Sequence, residues 1–165
     1  MSYIAADGDY ADRGLVDEAT HKSLLLCQLA LRSPATPAGV RVSCLARISM
    51  LLDGLPLAQA KTGDCISGGA WRLGRDRCRA FSELAHAYRE TGDAQSAAAN
   101  YRRAAVLAEA HAACPAPDAV AGPSVEELHA QICAAWADVE ESLGRTTEAR
   151  RVRARTLRAR NPVVP

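Results

Sequence analysis

Apolar side chains recur along this sequence at spacings of three and four, and nowhere do they alternate over the length of a strand. Between residues 36 and 56 they fall at Cys44, Leu45, Ile48, Leu51, Leu52 and Leu55, a series that lines one face of a helix. Thr36-Pro37 offers that helix an N-cap and a first-position proline, and Gly54 and Pro56 stop it. An earlier helix is expected from an Asp17 cap to about Arg32, ended by Ser33-Pro34. Further helices are expected over about 75–91 and 94–113, separated by Thr91-Gly92-Asp93, a glycine C-cap followed by an aspartate N-cap. Ser124-Val-Glu-Glu127 has the form of a capping box for a helix that reaches Leu143. Gly144 closes it, and a last helix runs from about Thr147 to Arg160 before Asn161-Pro162.

This pattern implies one all-α domain over 15–165, built from antiparallel helical hairpins. An N-terminal hairpin occupies 15–56 and two helix pairs occupy 75–162. Residues 1–14, with Asp7, Asp9 and Asp12, read as a flexible acidic arm. The irregular stretch 57–74 reads as a loop, and 114–123 as a proline-rich linker.

Composition narrows the fold further. Aromatics make up 4% of the chain, whereas alanine occurs 34 times in 165 residues. Alanine favours helices and is a poor strand former, which disfavours a sandwich or a barrel. Twenty basic and nineteen acidic side chains leave a net charge of +1, so no global field points to nucleic acid or a membrane. Met1 to Tyr10 is acidic where a secretory signal is basic, and the longest apolar run, 24–31, is far shorter than the roughly 20 residues of a membrane span. A cytoplasmic protein is the expectation. Six cysteines (Cys27, Cys44, Cys65, Cys78, Cys114 and Cys133) then read as reduced thiols, and the four in helical segments as small hydrophobes.

Two of the turns are related. Leu84 and Trp136 each precede a glycine, Gly92 or Gly144, by eight residues, and Ala97 or Ala149 follows five residues later. In the first copy Phe81, Leu84, Ala85 and Tyr88 on one helix, then Ala97, Tyr101 and Ala104 on the next, resemble the tetratricopeptide repeat in register. The second copy keeps Cys133, Trp136, Ala137, Gly144 and Ala149 but has Glu140 and Arg153 where that family has aromatics. The two glycines are 52 residues apart, against about 34 in the usual repeat, which resembles the variants with extended helices. The resemblance covers about 75–162 and implies a short α-α superhelix whose concave groove holds a peptide. Such repeats need about three units for stability, so the N-terminal hairpin serves as a cap or a homodimer covers the open end.

On that resemblance the groove is lined in the first copy by Arg79, Ser82, His86 and Arg89, with 57–74 as a lid. In the second copy it is lined by Gln131, Ala134, Asp138 and Glu141, so one wall is basic and the other acidic. A mixed-charge peptide suits such a groove, although the Lys and Asn of the family's carboxylate clamp are not reproduced. The arginines of the last helix, Arg150, Arg151, Arg153, Arg155, Arg158 and Arg160, follow Glu148 in the order the helix dipole favours and have no interleaved aromatics. Direct nucleic-acid binding is therefore disfavoured. His111, Cys114, His129 and Cys133 have the chemistry of a zinc shell, but Cys133 falls on a packing position, and no metal is expected. Gly63 to Ala70 lacks the Lys and Ser/Thr of a phosphate loop, and no other cofactor motif emerges.

The leading expectation is a non-enzymatic adaptor or regulatory module that binds a protein or peptide, including the sort of unit that works beside a DNA-binding protein. The alternative is a small all-α enzyme or small-molecule-binding protein of bacterial specialised metabolism, with a pocket between the N-terminal hairpin and the repeats. Its suspects are His86, Cys65, Trp71 and Asp64.

Overall fold

A computed structural model describes residues 18–54, 68–112 and 124–160. Six helices account for almost all of them, and no strand is present among the described residues. In chain order they are α1 (Glu18–Arg32), α2 (Ala38–Gly54), α3 (Gly68–Glu90), α4 (Ala94–Ala112), α5 (Val125–Ser142) and α6 (Thr146–Arg160). Each helix packs on the next, and α3 also touches α5, so α4 lies behind an α3–α5 pair. The acidic arm, 57–67 and the linker 114–123 lie outside the described residues.

Local chemistry explains most of the boundaries. Ser124 and Glu127 exchange the two hydrogen bonds of a capping box, at 3.1 and 2.9 Å, and so start α5. Asp93 starts α4 by accepting from the Ser96 amide at 2.9 Å. Thr36 departs from the sequence expectation of an N-cap. Its hydroxyl donates back to the carbonyl of Ala30 in α1 at 2.5 Å, and the Pro37 carbonyl receives the first α2 amide, that of Arg41. A second departure is the start of α3 at Gly68, which makes 68–74 helical instead of loop. The glycines there argued for a break, but Leu73 is buried and Gly74 lies against the ring of His111. A Cβ at 74 would sit 2.7 Å from His111 Nδ1, so this glycine permits close packing between α3 and α4.

The two related turns match in detail. Gly92 and Gly144 both take left-handed backbone, with φ of 84° and 74°. Their amides donate to Arg89 and Glu141, and the next amides, Asp93 and Arg145, reach back to Tyr88 and Glu140 at 2.9 and 2.8 Å. This is the Schellman pattern that closes a helix. A Cβ at 144 would meet nothing within 4 Å, so the Gly144→Ala cost is purely conformational. Thermal unfolding of Gly144→Ala is expected to show a loss of roughly 1–2 kcal/mol, and Gly144→Asn a smaller one.

Two cores share α3. On one side, Leu73, Ala80, Leu84 and Ala87 pack with Leu24 and Leu31 of α1 and with Leu45, Ile48 and Leu52 of α2. On the other, Cys78, Phe81 and Ala85 pack on an alanine face of α4 and on Ile132, Cys133 and Trp136 of α5. Ala97, Ala104, Ala105 and Ala108 are fully buried, so the alanine excess lets α4 approach its neighbours closely. The cysteines divide by exposure. Cys78 and Cys133 are buried, while Cys27 and Cys44 are half-buried, and burial, with Cys44 adding, raises the Cys27 thiol above its ordinary value.

Arg77 fastens the two hairpins together. Although 6% exposed, its guanidinium donates to the carbonyls of Leu52 at 2.7 Å and Asp53 at 3.1 Å, which the end of α2 leaves without helical partners. Arg103 of α4 pairs with the Asp53 carboxylate and covers the Phe81 ring at 4.8 Å.

The buried His111 makes stability depend on pH. Burial, and then the charge of Arg75, hold its imidazole below the ordinary value of 6.5. The unfolded chain therefore takes up this proton more readily than the folded one. The contribution is complete above the unfolded value and is lost as pH falls through it toward the folded value. Melting temperature measured between about pH 7.5 and 5 is expected to fall more steeply for the wild type than for His111→Gln.

Candidate functional site

The long helix α3 exposes a stripe opposite its cores, with Arg79, Ser82, His86 and Arg89 at helical spacing. The structure places Ser82 and His86 of that stripe in the wall of a cleft of about 340 Å³. The cleft lies between the N-terminal hairpin and the later helices, with Leu31 and Leu45 on one side and Leu128 and Ala135 of α5 on the other. The ring of Tyr101, from α4 behind, forms part of the lining. The body of the cleft is thus apolar, and its polar groups are few: Arg41, Ser82, Glu83, His86, Gln131 and the Tyr101 hydroxyl.

His86 and Arg41 are linked at the rim through Arg89 and Glu90. Arg89 Nη2 lies 3.2 Å from His86 Nδ1. An arginine can only donate, so Nδ1 accepts and the ring proton sits on Nε2. That nitrogen faces Glu90 Oε1 at 3.4 Å, and the other Glu90 oxygen lies 3.9 Å from Arg41 Nη2. Burial pushes the Glu83 carboxyl above its ordinary range, against the pull of Arg79 and Arg41. Burial likewise raises the Tyr101 phenol, with Arg89 opposing and Asp138 and Glu90 adding to the shift. A hydrophobic slot edged by alternating charges can hold an apolar group and orient it by hydrogen bonds.

Of the residues expected from sequence, Ser82, His86 and Gln131 line the cleft, Arg89 contacts His86, and Arg79 acts on Glu83. Asp138 is held by α6, where Arg153 reaches it at 3.3 Å and forks onto both oxygens of Glu141 at 2.8 Å. Arg41, Glu83, Tyr101 and Leu128 were not read as site residues. Arg41 and Leu45 lie four apart on α2 and so share a face, but the sequence does not show that this face meets α5. Tyr101 was assigned to packing, and it is both buried and part of the lining.

The remaining candidates separate. Cys133 Sγ lies 3.4 Å from His129 Nε2, and the same nitrogen is 3.2 Å from Glu109. His111 lies against Gly74, and Cys114 is outside the described residues. Among the described residues no three His, Cys, Asp or Glu side chains are arranged to hold a metal. Asp64 and Cys65 also lie outside the described residues, as does the Trp71 side chain.

On α6, Arg151, Arg153 and Arg155 pair with Glu148, Glu141 and Glu109. Arg155 also stands 6.0 Å over Trp136. Arg153 and Arg155 thus tie α6 to α5 and α4, while Arg151 pairs within α6. A wider depression of about 430 Å³ at the α5–α6 turn includes Arg102, Arg145 and Arg151, with Glu140 and Glu148 set against the last two. Among the described residues no helix is long and apolar enough to cross a membrane. No protein-family model matches the chain, and no curated protein or solved structure is significantly similar to it.

Proposed function

We propose that this chain is a protein-interaction module, a short tetratricopeptide-like stack of hairpins that holds a peptide segment of a partner protein in the cleft. The observation that carries this reading is the cleft itself, apolar inside and charged at the rim, where α3 and α5 face the N-terminal hairpin. Its volume of about 340 Å³ suits one or two side chains and is small for a large cofactor. The matched turns at Gly92 and Gly144 support the repeat reading, because α3 and α5 each end in the same closure before the next helix. In this role the protein is a cytoplasmic adaptor or regulatory subunit that acts without chemistry of its own.

Panning a random-peptide display library on the wild type is expected to yield binders that occupy the cleft. Ala135 is small, partly exposed and part of the lining, so Ala135→Trp fills the space with little disturbance of the core. These peptides are expected to bind Ala135→Trp at least about tenfold more weakly, a loss on the order of 1.4 kcal/mol. They are expected to bind Val106→Ser, altered at an exposed site elsewhere, as they bind the wild type. Equal binding to Ala135→Trp removes the cleft from the proposal.

A second reading, a small-molecule-binding protein, draws on the convergence of Arg41, Glu83 and His86 on one apolar slot. It is favoured over the first if panning yields no cleft-dependent peptide while small ligands shift the resonances of the same residues.

A further inference from the structure

Among the described residues Arg41 is the only guanidinium in the lining of the cleft. Its Nε is shut off from solvent and has no hydrogen-bond partner among the described residues. Its nearest carboxylate contact, Glu90 at 3.9 Å, is an ion pair too long to be a hydrogen bond. A buried N–H without an acceptor is costly, and a guanidinium is shaped to donate two parallel bonds to one carboxylate. Arg41 therefore stands beside the apolar space with its two Nη groups holding no hydrogen bond among the described residues.

The charges around the cleft point the same way. Arg41, Arg79 and Arg89 face Glu83 and Glu90, which leaves one positive charge uncompensated at the rim. Asp138 and Glu141 share Arg153, and Arg150 also acts on Glu141, so these two acids are balanced by two arginines of α6. Next to Arg41 the walls are aliphatic: Leu31, Leu45 and Leu128, each at most 9% exposed. One carboxylate neutralises the rim, and one aliphatic side chain fills the slot.

We propose that the peptide held in the cleft presents a carboxylate beside an aliphatic side chain, and that Arg41 is the residue that reads the carboxylate. This rests on the cleft being the peptide site. Arg41 belongs to α2, outside the region that resembles the repeats, so the N-terminal hairpin sets specificity as well as capping the stack. The carboxylate has two sources, an Asp or Glu side chain or a chain terminus.

Two random-peptide pools separate these sources: one displayed with its C-termini fused to the carrier, the other with C-termini free. The expected result is enrichment of a carboxylate next to Leu, Ile, Val or Met. Enrichment in the fused pool identifies a side chain, and enrichment confined to the free pool identifies a terminus. Replacing that acid by its amide in a synthetic peptide is expected to weaken wild-type binding at least about tenfold and binding to Arg41→Gln very little. Arg41→Lys is expected to fall between, since it keeps the charge without the fork. The inference is overturned if peptides that lose affinity for Ala135→Trp show no acidic enrichment, or bind Arg41→Gln as tightly as the wild type. Peptides indifferent to Ala135→Trp overturn both the inference and the cleft reading beneath it. The acid-to-amide exchange leaves the protein untouched, so a folding defect in a variant cannot produce its result.

Discussion

Trp136→Ala is expected to lower the stability of the protein by about 3–5 kcal/mol, measured by chemical denaturation. Trp136 is 2% exposed and lies in the core shared by α3, α4, α5 and α6. Removing it opens a cavity in closely packed helices that are poorly able to collapse into it. It also takes away a hydrogen-bond donor. The indole N–H donates to Glu140 Oε1 at 2.9 Å, and Glu140 is itself 5% exposed. With the indole gone, that carboxylate retains only Arg145, at 3.4 Å, among the described residues. Trp136→Phe separates the two contributions, since it keeps most of the ring and loses the N–H. Its expected cost is about 1–3 kcal/mol, and a cost near zero would show that Glu140 does not need the indole.

Arg77→Met is expected to cost about 2–4 kcal/mol, from charge-assisted hydrogen bonds partly offset by no longer burying a charge. The bonds lost are those to Leu52 and Asp53 at the end of α2. Because the two cores meet only along α3, the loss is expected to be uneven. Hydrogen exchange should accelerate more in α1 and α2 than in α5 and α6, as for a locally opening unit. Uniform acceleration across the six helices would mean that the hairpins unfold as one body and that Arg77 is not the local fastening described above.

The helices were legible in the sequence because their signals are local. The 3.6-residue periodicity, the Ser124–Glu127 box and the Asp93 cap depend on neighbours within one or two turns. The start of α3 was hidden because Gly68, Gly69 and Gly74 argue against helix, whereas the contact that makes Gly74 useful, His111, lies 37 residues away. Thr36 misled for a similar reason, its hydroxyl finding Ala30 of the preceding helix before the amides of its own. At the site, the α3 stripe was legible as one helix face, and this brought Ser82 and His86 to attention. Arg41 and Leu128 were not, because a cleft belongs to the arrangement of five helices and no single periodicity encodes it. Asp138 shows the converse. Its position on the outer face of α5 was legible from helical spacing, but Arg153, nine residues after Gly144 as Tyr101 is after Gly92, commits it to α6.

The cleft is tested most directly by titrating the isotope-labelled protein with a library-selected peptide and following its backbone amide resonances. If the peptide lies between the N-terminal hairpin and helices α3 and α5, the largest shifts fall on Arg41 and Leu45, on Ser82 to His86, and on Leu128 to Ala135, three segments far apart in sequence that meet at one place. Shifts concentrated on α6, or on the exposed leucines of α1 (Leu25, Leu26 and Leu29), would contradict it and move the binding face to the outside of the stack.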